Sequence, residues 1–130
     1  MQFAAFSAPA FREVLDQLPS LTLVIEHLGG GDRVFDAAAA VTEQQAVFAL
    51  ASYSGVHMKF HGLGEICQRT SPVTSAAIFT AEGTQILDAA WEAFGPRRML
   101  WAEGLPPVAG REGYAAALEL PRRHLQNRLG

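Results

Sequence analysis

At 130 residues and 14.0 kDa, with 49% hydrophobic residues, the chain is long enough for a single domain that buries roughly two thirds of its unfolded surface, and it holds nothing near the roughly 20 continuous apolar residues of a membrane span. A formal net charge of -3, from ten basic and thirteen acidic residues, gives no broad positive field, which argues against nucleic acid and anionic membranes as partners. One cysteine, Cys67, excludes an intrachain disulfide and a cysteine-based zinc site, and Met1 to Ala10 has no basic, apolar leader, so a cytoplasmic protein is expected.

In chain order, Ser7 and Pro9 suit a helix start, and Phe11, Val14, Leu15 and Leu18 recur at helical spacing until Pro19, predicting a helix over about Ala8 to Leu18. Leu21 to His27 is a β-rich, nearly continuous apolar run closed by Gly29-Gly30-Gly31, which predicts a strand. Glycine amides ahead of a helix favour anions, but the Lys-Ser/Thr of a nucleotide loop is missing, so a flexible turn is the better reading here. Asp32 can cap the next helix, in which Val34, Phe35, Ala38, Val41, Ala46 and Phe48 are apolar, as far as about Tyr53.

Ser54-Gly55 breaks that helix, and Val56 to His61 alternates apolar with polar residues. Val56, Met58 and Phe60 would face one way, His57, Lys59 and His61 the other. Gly62 to Phe79 is irregular and fits a functional or mobile loop, with Glu65 and Arg69 as candidate substrate contacts or solvated charges. Ile86, Leu87, Ala90, Trp91 and Phe94 mark an amphipathic helix that Gly95-Pro96 stops. Met99 to Ala102 suits a short strand covered on both faces, and Pro106-Pro107 a rigid exit from it. A last helix begins near Glu112 and carries Tyr114, Leu118 and Leu125, with Pro121 expected to kink or divide it.

This alternation predicts an α/β fold of about three parallel strands and four helices in one domain, residues 1–130. Three strands are few for such a sheet, and they suit a partial, TIM-barrel-like (β/α) segment whose edges need covering. On the polar face of the second strand, imidazoles two or four residues apart can converge on a cation, since alternate side chains stand about 6.6 Å apart. The ammonium of Lys59 between them repels a divalent ion. Lys59 and His61 are therefore candidates for holding a carboxylate of a small substrate, beside the plainer reading of an exposed polar face. His27, beside a glycine turn, reads either as a hydrogen-bonded structural residue or as a ligand.

Three blocks carry a family resemblance. Leu23-Val24-Ile25-Glu26-His27-Leu28-Gly29, Val56-His57-Met58-Lys59-Phe60-His61-Gly62-Leu63 and Phe94-Gly95-Pro96-Arg97-Arg98-Met99-Leu100-Trp101, continued by Pro106-Pro107 and Arg111-Glu112-Gly113-Tyr114, resemble the C-terminal part of the amidohydrolase-related family. That family includes lactonases of the pyrone-dicarboxylate type and metal-dependent decarboxylases. The resemblance implies a (β/α)8 barrel with these strands as the closing ones, a divalent metal such as zinc, and His27 as a residue that descends from a metal site. It also shows departures. The family's first-strand His-x-His pair is absent, and where the family has Gly-Ser-Asp after the tryptophan this chain has Ala102-Glu103-Gly104, so Gly104 stands in place of a metal-binding or basic aspartate. Glu103 is the nearest carboxylate that can substitute, and only if the backbone twists at the strand end. The resulting expectation is a truncated hydrolase, weak or inactive alone. The alternative is a non-catalytic binding or assembly module that covers its open sheet edges as a homo-oligomer.

Overall fold

The computed structural model describes residues 8–29, 44–60, 81–102 and 113–128. Helix α1 (Ala8–Gln17) turns Ala8 and Leu15 into the core, and Leu18 N–H still donates to Val14 O at 2.9 Å before Pro19 ends the pattern. Strand β1 (Leu23–Ile25) follows. Residues 44–48 belong to α2, which passes into a 3₁₀ turn (Ala49–Ser52) and then strand β2 (Val56–Phe60). Helix α3 (Ala81–Phe94), strand β3 (Met99–Trp101) and helix α4 (Gly113–Gln126) complete the described chain.

The strands form one parallel sheet in the order β1-β2-β3, with Ile25 beside Met58 and Met58 beside Met99. The α/β fold with three parallel strands and four helices among the described residues is the one the alternation predicts. Because side chains alternate along a strand, the register sorts them onto two faces. Ile25, Val56, Met58, Phe60 and Met99 share one face, and together with Leu15, Leu28, Val47, Leu50, Leu87, Ala90, Phe94 and Leu125 they make a single buried cluster. Phe48, packed against this cluster, meets Phe94 edge to face, ring centroids 6.3 Å apart. The opposite face carries Val24, His57, Lys59 and Leu100, none of them buried.

Three expectations need correction. The run from Leu21 to His27 is a strand only over Leu23–Ile25: Leu21 N–H turns back to Leu18 O at 2.9 Å, and His27 has left the strand for a 3₁₀ turn. Gly55 permits this close packing at the sheet's lower end, since a Cβ on it would stand 2.5 Å from Leu21 O. Strand β3 is not covered on both faces, because Leu100 lies on the uncovered side and is 41% exposed. Of the two outcomes expected at Pro121, a kink or a division, the division does not occur, since α4 runs through it from Gly113 to Gln126. Proline removes one backbone donor there, but the turns beyond it are fastened to α3 by buried Leu125 and by hydrogen bonds from His124 and Arg128, which hold the helix together.

Candidate functional site

At the amino ends of the strands the chain is fastened by Arg98. Its Nη1 donates to Ala51 O (2.8 Å) and Tyr53 O (3.0 Å), its Nε donates to Phe94 O (3.1 Å), and its guanidinium lies 5.6 Å from the Phe94 ring centroid. Ala51 O and Phe94 O stand at the ends of a 3₁₀ turn and a helix, where intrahelical donors run out, while Tyr53 O also accepts from Val56 N–H at 3.1 Å. Arg98 supplies the missing donors and ties α3, β3 and the approach to β2 together.

The carboxyl ends of the strands differ in character. Directly after β1, His27, Leu28 and Gly29 adopt φ of 55°, 53° and 68° in succession, so two residues with side chains occupy left-handed backbone. Such a conformation costs roughly 1–2 kcal/mol for each non-glycine residue, and persists only where the surroundings enforce it. Here Leu28 is fully buried, Gly29 N–H donates to Glu26 O at 3.0 Å, and Gly29 is pressed against Val47 of α2. The turn therefore has a fixed form, with half-buried His27 at its start.

Glu26, last before the turn, reaches the next strand: Lys59 Nζ donates to its Oε1 at 3.1 Å, both side chains about 30% exposed. Lys59 thus already holds a carboxylate, one from its own chain. His57, two residues earlier on the same face, donates from Nδ1 to Gly55 O at 3.2 Å, which requires the proton on that nitrogen. The structure brings His27 and Lys59 to the same end of adjacent strands. His61 and Glu103 lie outside the described residues, as do Asp32, Glu65, Cys67, Arg69 and Gly104.

A structural or catalytic zinc ion takes at least three protein ligands. Among the described residues no group of three or more His, Cys, Asp or Glu side chains can hold a metal ion, so they do not by themselves make a complete zinc site around His27. A second cluster lies away from the mouth, between α3 and α4. His124 Nε2 donates to Asp88 Oδ1 at 2.6 Å, Arg128 also binds Asp88, and Arg128 Nη2 donates to Glu92 Oε1 at 2.6 Å. Burial pushes the Asp88 carboxyl up, but hydrogen bonds from His124 and Arg128 and their positive charge outweigh it, and the net shift is downward.

Sequence reading missed Glu26, Arg98 and the buried Gln44 of α2. Glu26 next to His27 at a strand end was a usable signal. The partners of Arg98 were not, since they lie 45 and 47 residues earlier.

Comparison with known proteins bears on what this arrangement belongs to. A family model described as amidohydrolase matches residues 1–127. A crystal structure of an amidohydrolase from Burkholderia multivorans with bound zinc is similar in fold, with a TM-score of 0.73 at 23% identity over 95% of this chain and 43% of that one. A second crystal structure of an amidohydrolase from the same organism, with bound HEPES, has the same TM-score and coverage at 24% identity. No curated protein matches. The chain therefore spans 43% of the length of the solved structures it resembles.

Proposed function

The chain belongs to the amidohydrolase family, and from that premise we propose that it carries the closing strands of a hydrolase barrel of the lactonase or decarboxylase type, weak or inactive when residues 1–130 act alone. The observation that carries this reading is the Glu26–Lys59 pair beside the left-handed His27 turn, at the carboxyl ends of adjacent parallel strands. In α/β barrels the reacting groups gather at that end. A substrate carboxylate would exchange with Glu26 at Lys59, one charge-assisted hydrogen bond replacing another, so that Lys59 orients the substrate. His27 would be a remaining ligand of a metal centre whose other donors are not among the described residues. Weak activity alone follows from Gly104, which has no side chain to take a proton or bind a metal.

The test is hydrolysis of simple lactones by the purified chain and by Gly104→Asp, each incubated with zinc. Turnover is expected to be near background for the natural sequence and to rise in the variant, with the gain lost on adding His27→Ala. Turnover by the natural sequence at ordinary enzyme rates would refute the weak-alone part, and no gain in Gly104→Asp would refute the retained-geometry part.

A second reading, a non-catalytic module that covers its sheet by association with another copy, draws support from Leu100, an exposed leucine on an edge strand of the described sheet.

A further inference from the structure

The register of the sheet fixes which backbone groups lie idle. Leu23 N–H donates to Gly55 O at 3.0 Å, Met58 N–H to Arg98 O at 2.9 Å and Ala102 N–H to Phe60 O at 3.3 Å. In a parallel ladder successive residues point their N–H and C=O to opposite sides. Val24 on β1, and Met99 and Trp101 on β3, therefore turn theirs to the outer edges, where no strand pairs them among the described residues. Between these edges lies the face of Val24, Glu26, His57, Lys59 and Leu100, with Leu100 41% exposed. Parallel sheets are ordinarily covered on both faces, yet here two edges and one face are open together.

The face itself narrows what covers it. Its polar groups are already answered within the chain, Lys59 by Glu26 at 3.1 Å and His57 by Gly55 O at 3.2 Å, so enclosure leaves neither ion of the pair without its counterpart. A second copy laid face to face would make a mostly polar contact, since only Val24 and Leu100 are apolar, whereas lasting homodimer interfaces resemble a domain core cut in half. A partner that adds parallel strands at both edges would satisfy the idle backbone groups and enclose this face in one step. In the solved amidohydrolases of the same fold, the part that this chain matches is 43% of the length, and the larger part lies beyond it.

We propose that β1, β3 and the open face together bind, without a covalent link, a (β/α) segment that carries the opening strands of an amidohydrolase barrel. The identity of the partner rests on the barrel reading above; the open edges do not.

The experiment co-expresses residues 1–130 with the part of the solved zinc-bound amidohydrolase that they do not match, as two separately tagged chains. A one-to-one complex is expected in light scattering after gel filtration, lost in Leu100→Glu and kept in Leu18→Glu. Hydrogen exchange followed by NMR should show the amides of Val24, Met99 and Trp101 open in residues 1–130 alone and slowed at least about tenfold in the complex. Recovery of the second chain without residues 1–130 would overturn the proposal, as would a complex that leaves these three amides unchanged. So would a monomeric chain in which they are already protected, because its edges would then be closed. A stable homo-oligomer of residues 1–130 that does not exchange into the complex would give the face to a second copy instead. A complex without lactone turnover would count against the hydrolase reading alone, and a gain of turnover in Gly104→Asp without any complex against this proposal alone.

Discussion

A Cβ on Gly29 would stand 2.5 Å from Val47 Cγ1, and the backbone there has φ of 68°. Alanine must accept a left-handed conformation and also displace a fully buried valine, so Gly29→Ala should lower stability by about 2–4 kcal/mol, read as a reduced urea midpoint at unchanged slope. Arg98 is the opposite case, where a side chain supplies what the backbone lacks. Arg98→Ala leaves the Ala51 and Phe94 carbonyls short of a donor, while Tyr53 O keeps Val56 N–H at 3.1 Å, and should cost about 2–3 kcal/mol; Arg98→Lys should recover only part, because one ammonium cannot reproduce the guanidinium fork. Full stability in Arg98→Ala would show that water satisfies these carbonyls equally well.

Between elements, the α3–α4 contact depends on charge. Asp88 titrates below its ordinary 3.8, so its folded form releases the proton more readily than the unfolded chain does. Its contribution is therefore complete above that ordinary value and fades as pH falls through the lower folded value. Asp88→Asn should destabilise the protein near neutrality, with the gap to the natural sequence closing as the pH falls below the ordinary 3.8 of the carboxyl, as measured by denaturant midpoints across the acid range. A gap that stays constant with pH would assign the effect to packing. The element order was legible because hydrophobic period distinguishes α1 and α3 from the alternating β2. The limits of β1 were not. Leu21 to His27 is uniformly strand-like in composition, but the burial of Leu28 and the contact of Gly29 with Val47 bend its end into a turn, and those contacts arise only after α2 has packed. The Glu26–Lys59 pair was hidden for a similar reason: its partners are 33 residues apart and meet through strand register.

For the molecule as a whole, the sheet has one face under the helices and one that the described residues leave uncovered. Of the candidate site, His27 and Lys59 were legible because alternation and strand ends place them; the burial of Gln44 was not, since a glutamine in a helix is ordinary in sequence and unusual only once buried. If association covers the open face, Leu100→Glu should shift the chain to the monomer mass in light scattering after gel filtration, while Leu18→Glu just past α1, 54% exposed in the natural sequence, should not. A monomer before any substitution would remove the association reading. The Arg98 contacts also have a kinetic side. Its hydrogen bonds to Ala51 and Tyr53 close loops of 47 and 45 residues, longer than the 33 between paired residues of β1 and β2, so the expectation is that they form after that pair. Contacts made that late contribute little to the folding barrier and much to the unfolding one. Arg98→Ala should therefore unfold faster while refolding at nearly the natural rate, so that this arginine acts chiefly as a brake on the loss of a structure already formed.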